Sequence, residues 1–153
     1  MKLKYFFLSF LMVASFTACE NVNPNFQTEA ENAEFLHRSM KQLTDVIVHD
    51  IFSPPQASRI YAYSSIAAYQ AGVHGVSEYR TLDGQLKQLA NTPQPEEGQE
   101  YCFPLASAHA FLTVGKALIF SEDKMQKFQD ELYAEFTALQ MPSATYKLSL
   151  IHI

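Results

Sequence analysis

The sequence has no concentrated basic region and few cysteines. Its 11 Lys and Arg residues are scattered over 153 positions, against 16 Asp and Glu. Because phosphate binding needs a concentrated basic face, this distribution argues against nucleic acid as a partner. The only two cysteines are Cys19 and Cys102. If Cys19 is modified, the remaining thiol cannot form an internal disulfide, and we expect Cys102 to be a small, buried apolar residue.

Patterns that carry catalysis or metal binding are also missing. The five histidines form neither a His-x3-His pair nor a His-Glu-x-x-His zinc helix. They are His37, His49, His74, His109 and His152. No glycine-rich phosphate loop and no Gly-x-Ser-x-Gly turn occurs, and His109 is expected to be a hydrogen-bonded core histidine. We therefore assign no catalytic, cofactor-binding or metal-ligating residue from the sequence.

Residues 1–18 are predicted to be a lipoprotein signal peptide. Lys2 and Lys4 precede the twelve-residue apolar run "YFFLSFLMVASF", which is too short to span a bilayer. The run ends in "FTAC", which resembles a bacterial lipobox, although Phe16 stands where Leu is usual. The resemblance implies cleavage before Cys19 and lipidation of that cysteine. The alternative is a plain secretory signal with an incidental cysteine.

The predicted location is the bacterial cell envelope, at the outer membrane or the periplasmic face. Cleavage removes two lysines, which leaves 9 basic and 16 acidic residues and a net charge of −7. Attachment to a membrane would therefore depend on acyl chains at Cys19 and not on charge. Residues 19–28 are polar and are predicted to be a short tether.

Hydrophobic periodicity predicts an all-α bundle of about four to five helices over residues 29–147. The predicted helices cover about 29–51, 52–72, 103–119 and 121–139, and a fifth begins at Ser143. The third is apolar nearly all round, so we expect it to be the central helix. Residues 73–100 are predicted to be mostly loop. In the first helix, the inward positions are Leu36, Met40, Leu43, Ile47 and Ile51. In the fourth, Ser121 is the predicted cap, and the inner stripe consists of Met125, Phe128, Leu132, Phe136 and Leu139.

The second predicted helix has an unusual composition. Ser53 followed by Pro54 and Gln56 predicts a capping box, and Gly72 is a natural stop. Between these ends Arg59 is the only charged residue, so its guanidinium must reach water or a carboxylate. Alanines permit close helix approach, and three tyrosines offer large contact area with a polar tip. These tyrosines are Tyr61, Tyr63 and Tyr69.

Two segments carry a family resemblance. "EFLHRSMKQLTDVIVHDIFSPPQASRIYAYSSIAAYQA" and "EYCFPLASAHAFLTVGKALIFSEDKMQKF" resemble the N-terminal helical region of bacterial lipoproteins in the superfamily of vanadium-dependent haloperoxidases and type 2 phosphatidic acid phosphatases. The similar region extends from about Glu34 to Tyr146, and "SPPQASRIYAY" followed by "IAAY" is its most specific part. The resemblance implies a helical domain that is an incomplete part of a larger one.

The superfamily's three chemical motifs do not occur in this sequence. They are K-x6-R-P, P-S-G-H and S-R-x5-H, in which Lys and Arg hold vanadate or phosphate and His residues carry the chemistry. Ser58-Arg59 resembles the start of the third motif, but Ser65 occupies the position of its histidine. The resemblance implies that these motifs lie C-terminal to this region, so any vanadate site belongs to the missing half of the domain.

Two hypotheses follow. The first is an inactive N-terminal portion of an exported haloperoxidase or phosphatase. Its last six residues, 148–153 ("LSLIHI"), resemble the translation of a sequencing adaptor. Such a piece should expose apolar surface around residues 103–119. The second hypothesis is a complete, non-catalytic helical lipoprotein that binds a partner through its tyrosine-rich helix.

Overall fold

The computed structural model describes residues 20–151, which form helices, turns and loops without a β-strand. The predicted signal peptide, Cys19 and His152 lie outside these residues. The helices are α1 (Phe26–Ala30), α2 (Glu34–His49), α3 (Pro54–Gly72), α4 (Phe103–Ala117), α5 (Glu122–Ala138) and α6 (Ser143–Ile151). A 3-10 turn, Val73–Gly75, follows α3. The all-α prediction is confirmed, with five helices longer than one or two turns.

Helix α4 is the centre of the bundle, as its sequence predicts. It packs against α2, α3, α5 and α6, and Leu105 and Leu112 are fully buried. Three helices meet at Gly115, where an added Cβ would lie 3.3 Å from Leu43 and from Ser64 Oγ. A larger residue at this position would therefore press on both neighbouring helices.

The predicted start and end of α3 are confirmed. The Gln56 carboxamide oxygen accepts two hydrogen bonds from Ser53, one from its backbone N–H at 3.3 Å and one from its hydroxyl at 2.8 Å. These bonds close the capping box. Pro54 opens the helix, where a missing N–H costs nothing. The helix ends at Gly72, and the exposed Arg59 reaches solvent, which resolves the problem of its charge.

The first predicted helix differs from the structure at both ends. Helix α2 begins at Glu34, because Phe26–Ala30 forms a separate short helix whose Phe26 is buried. Residues 26–28 of the predicted tether thus lie in α1. At the other end Ile51 is 87% exposed and adopts φ +57° after the helix stops at His49. Its prediction as an inward residue was wrong because the helix ends two residues earlier.

The start of α5 is capped by a residue that periodicity did not indicate. Asp50 accepts the backbone N–H groups of Phe120 and Ser121 at 2.8 and 3.0 Å, and the Ser121 hydroxyl at 2.5 Å. Ser121 stands at the N-cap position but makes no side-chain cap bond to its own helix. The predicted N-cap position of Ser121 is confirmed, but its hydroxyl binds the Asp50 carboxylate at the end of α2 instead of the first turn of α5. The inner stripe of α5 is confirmed, with Met125, Leu132 and Phe136 buried.

The predicted exposure around residues 103–119 was also wrong, because α2, α3, α5 and α6 cover most of that helix. Exposed apolar side chains lie elsewhere, among them Val48, Tyr63 and Phe120. Helix α6 continues to Ile151, and the buried Ser149 hydroxyl accepts the Cys102 backbone N–H at 2.8 Å. The origin of residues 148–153 stays a prediction.

Candidate functional site

The cationic side chains of the described residues are dispersed, and three of them are bound to structural partners. Arg38 on α2 makes a bidentate pair with Glu135 on α5, with N···O distances of 2.9 and 2.7 Å. The Glu135 carboxylate raises the pKa of Arg38 chiefly through this hydrogen bond. Lys41 binds Asp45 one helical turn away at 2.6 Å. The first pair joins α2 to α5 on the outer surface of the bundle, and the second lies within α2.

The half-buried histidine of α4 belongs to a hydrogen-bond chain that ends at a lysine. His109 Nδ1 contacts the Tyr133 hydroxyl, which also accepts the Gln129 side-chain N–H. Lys116 Nζ donates to Gln129 Oε1 at 3.0 Å. Burial lowers the pKa of His109 and raises that of Tyr133, so at neutral pH both rings are uncharged. The expectation of a hydrogen-bonded core histidine is confirmed.

These groups do not fit vanadate, the cofactor that the resemblance implies for a full-length enzyme. An oxyanion site requires several Lys or Arg donors and a histidine converging on one point. Arg38 and Lys116 are each held by other side chains, and Arg59 points to solvent on α3. Over residues 20–151 no group of three or more His, Cys, Asp or Glu residues could hold a metal ion. No catalytic step is therefore derived from this part of the chain.

Two apolar grooves run along either side of α3. The first, called here the α3–α4 groove, has a volume of about 310 Å³ and is floored by α4. Its lining includes Tyr63, Ile66, Ala67, His109, Ala110 and Val114. The second, the α2–α3 groove, has about 360 Å³ and lies between Met40 and Tyr69. No Lys, Arg, Asp or Glu lines either groove. Their chemistry suits an apolar occupant.

A buried glutamine fixes one wall of the α3–α4 groove. The Gln70 carboxamide accepts the Leu82 backbone N–H at 2.7 Å and donates to Asp83 Oδ1 and Thr92 Oγ1, both at 3.1 Å. Asp83 in turn accepts the Thr92 hydroxyl at 2.8 Å. These bonds order the long loop after α3, which supplies Leu89 to the groove. Sequence reasoning missed Gln70, because its position two residues before the end of α3 does not distinguish it from other polar residues near a helix end.

The opposite side of the bundle is charged. A groove of about 420 Å³ between α2 and α5 is lined by residues of both charge signs. They include Asp45, His49, Lys124, Lys127 and Glu131. Mixed charges of this kind are typical of a solvated face. Charge therefore divides the bundle into a polar α2–α5 side and an uncharged α3 side.

This arrangement of helices occurs in a known enzyme. The chain is similar to a bacterial vanadium-dependent iodoperoxidase of known crystal structure, with 37% sequence identity and a TM-score of 0.70. The match covers 76% of this chain and 28% of the iodoperoxidase chain. The identity and fold support the resemblance to the vanadium-dependent haloperoxidase superfamily. The chain spans less than a third of the length of the iodoperoxidase that it matches.

Other comparisons add no assignment. No protein-family model matches the chain, and no curated protein does. Within the described range, none of the helices combines the length and apolar character that crossing a bilayer requires. Cys19, the predicted lipidation site, lies outside that range, so its modification stays a prediction.

Proposed function

We propose that this chain is the N-terminal helical part of an exported vanadium-dependent haloperoxidase, whose catalytic motifs lie on the remainder of a longer parent chain. The observation that carries the proposal is the match to an iodoperoxidase at 37% identity over 76% of this chain and only 28% of that one. The described residues are expected to supply scaffold and not chemistry, because Arg38 and Lys116 are held by other side chains, Arg59 is exposed, and none of the three superfamily motifs occurs in the sequence. By itself the chain is expected to be inactive.

Iodide oxidation is the first activity to test, since the matched enzyme is an iodoperoxidase. Hydrolysis of phosphate esters is the second, because vanadate and phosphate are bound by the same kind of oxyanion site. We propose that vanadate is held entirely by residues outside this chain.

A sequencing read across the gene beyond codon 147 tests the proposal directly. A frame that continues into K-x6-R-P, P-S-G-H and S-R-x5-H segments would support it. The encoded parent is then purified and assayed for vanadate binding, peroxide-dependent iodide oxidation and phosphatase activity. A parent with none of the three would refute the proposal, as would a stop codon directly after Ile153.

We also propose that the parent is anchored in the bacterial cell envelope through lipidated Cys19, after removal of residues 1–18. The support is the "FTAC" sequence after the apolar run. Cells fed a radiolabelled fatty acid should label the protein, and Cys19→Ser should abolish the label. Cys102→Ala is the matched control, because that thiol is buried. A label that survives Cys19→Ser would contradict the anchor.

A second function is a complete helical lipoprotein that binds a protein through α3. The observation in its favour is the exposure of Tyr63 and Tyr69, at 54% and 37%. This alternative requires a stop codon after Ile153 and a 153-residue product that unfolds cooperatively. A molten product that binds hydrophobic dyes would count against it.

A further inference from the structure

The α2–α5 side and the α3 side of the bundle differ in charge, and this difference indicates which side meets solvent. Helices α2 and α5 carry 11 of the 15 charged residues that lie in the described helices, and the groove between them contains five ionisable side chains. Helix α3 has one charged residue in 19, Arg59, near its N-terminal end. Apolar grooves that stay open at a protein surface are typical of interaction sites, so the α3 side needs a cover that the α2–α5 side does not.

Packing within the described residues covers only one face of α3. The helix packs chiefly onto α4, through a cluster of Ala71, Ala106 and Ala110 with Ala67 beside it. Its opposite face exposes Tyr63, and the grooves on both sides stay open. Small residues on the floor of the α3–α4 groove let a further helix approach closely.

The groove is preorganised for an uncharged occupant. Gln70 holds the loop that forms one wall, so the groove does not depend on binding for its shape. His109 in the lining is neutral, because burial lowers its pKa and because its Nδ1 is bound to Tyr133. The other groups that face this ring are also known: Lys116, which lowers the pKa, and the Leu150 backbone, which raises it. A charged side chain would find no partner in the groove.

The length of the matched enzyme indicates what would occupy the α3–α4 groove. Since the match covers 28% of the iodoperoxidase chain, most of such an enzyme lies outside the region seen here. We propose that the α3–α4 groove is the docking surface for an apolar helix from the remaining, catalytic part of the parent chain, while the α2–α5 side faces solvent. This inference rests on the proposed function and adds the surface by which the two parts join.

Cysteine labelling tests the surface. Tyr63→Cys places a thiol at the groove, and Lys127→Cys places a matched exposed thiol on the charged side. Each variant is made in the 153-residue chain and in the longer parent, and alkylation rates are read by mass spectrometry of the peptide that carries the new cysteine. Docking should slow alkylation at position 63 by about tenfold or more in the parent, with position 127 unchanged.

Each outcome decides the inference. Equal alkylation at position 63 in the short chain and in an active parent would overturn the docking surface and leave the proposed function intact. A parent without vanadate binding, iodide oxidation or phosphatase activity, or a frame that stops, would overturn both. If alkylation at position 63 of the short chain becomes slower as its concentration rises, the groove binds a second copy of the chain. This result would overturn the inference. If the short chain is unfolded, the ratio of the alkylation rates at positions 63 and 127 within the parent tests the docking surface by itself.

Discussion

The carboxylate of Asp50 provides the sharpest test of how the end of α2 is bound to the start of α5. We expect Asp50→Ala to lower the free energy of unfolding, because it removes acceptors for Phe120 N–H, Ser121 N–H and the Ser121 hydroxyl. Loss of a cap costs about 0.5–2 kcal/mol, and hydrogen bonds to a charged group are at the stronger end. Since Asp50 is only partly buried, we expect about 1–2 kcal/mol.

The assay is urea denaturation followed by circular dichroism, with two comparison variants. Asp50→Asn keeps an acceptor for the backbone groups and should lose about half as much. Asp45→Ala is the matched control, because its pair with Lys41 is exposed and contributes less than about 0.5 kcal/mol. A loss for Asp50→Ala no larger than that for Asp45→Ala would refute the cap.

The contribution of Asp50 also depends on pH. Partial burial acts to raise its pKa, but hydrogen bonds from Ser121 and Phe120 outweigh this and lower the pKa below the ordinary 3.8. A carboxyl group with a lowered pKa stabilises the fold above its unfolded pKa and loses that effect as pH falls through the folded value. The gap between the native chain and Asp50→Ala should thus be constant from neutral pH to about 5 and shrink below 4. A gap that persists at pH 2 would contradict the ionic character of the cap.

Three further outcomes are expected. Phe136→Ala should cost about 3–5 kcal/mol in urea denaturation, because the ring is fully buried and packs on Phe35 with centroids 4.3 Å apart; a cost below 1 kcal/mol would contradict this packing. Gln70→Ala should make the loop at residues 81–92 a preferred site of limited proteolysis, since its anchoring bonds are lost; an unchanged digestion pattern would oppose that role. Cys102 should resist alkylation until the chain unfolds, because it is buried and burial raises its pKa to about 11; rapid alkylation under native conditions would show that the site opens.

Periodicity predicted the helices best where one face alone is buried. The stripe of α5 and the capping box of α3 depend on residues within one or two turns, so local sequence contains the information. The central position of α4 also follows from its composition, because a helix that is apolar all round must be surrounded. The sequence also predicts that Arg59, the only charged residue of α3, must reach water or a carboxylate, and the structure exposes it to solvent.

Contacts between residues distant in sequence were decided only by the tertiary structure. Asp50 caps a helix that begins about seventy residues later, and Gln70 orders a loop through side chains up to 22 positions away. No local pattern distinguishes these two from other polar residues. Ile51 shows the same limit, because a heptad-like spacing cannot reveal that the chain leaves the helix at His49. The sequence by itself determined where the five longer helices form and the resemblance of the chain to the haloperoxidase superfamily. Only the tertiary structure decided which side of the bundle carries open apolar grooves, because that depends on how the helices pack together.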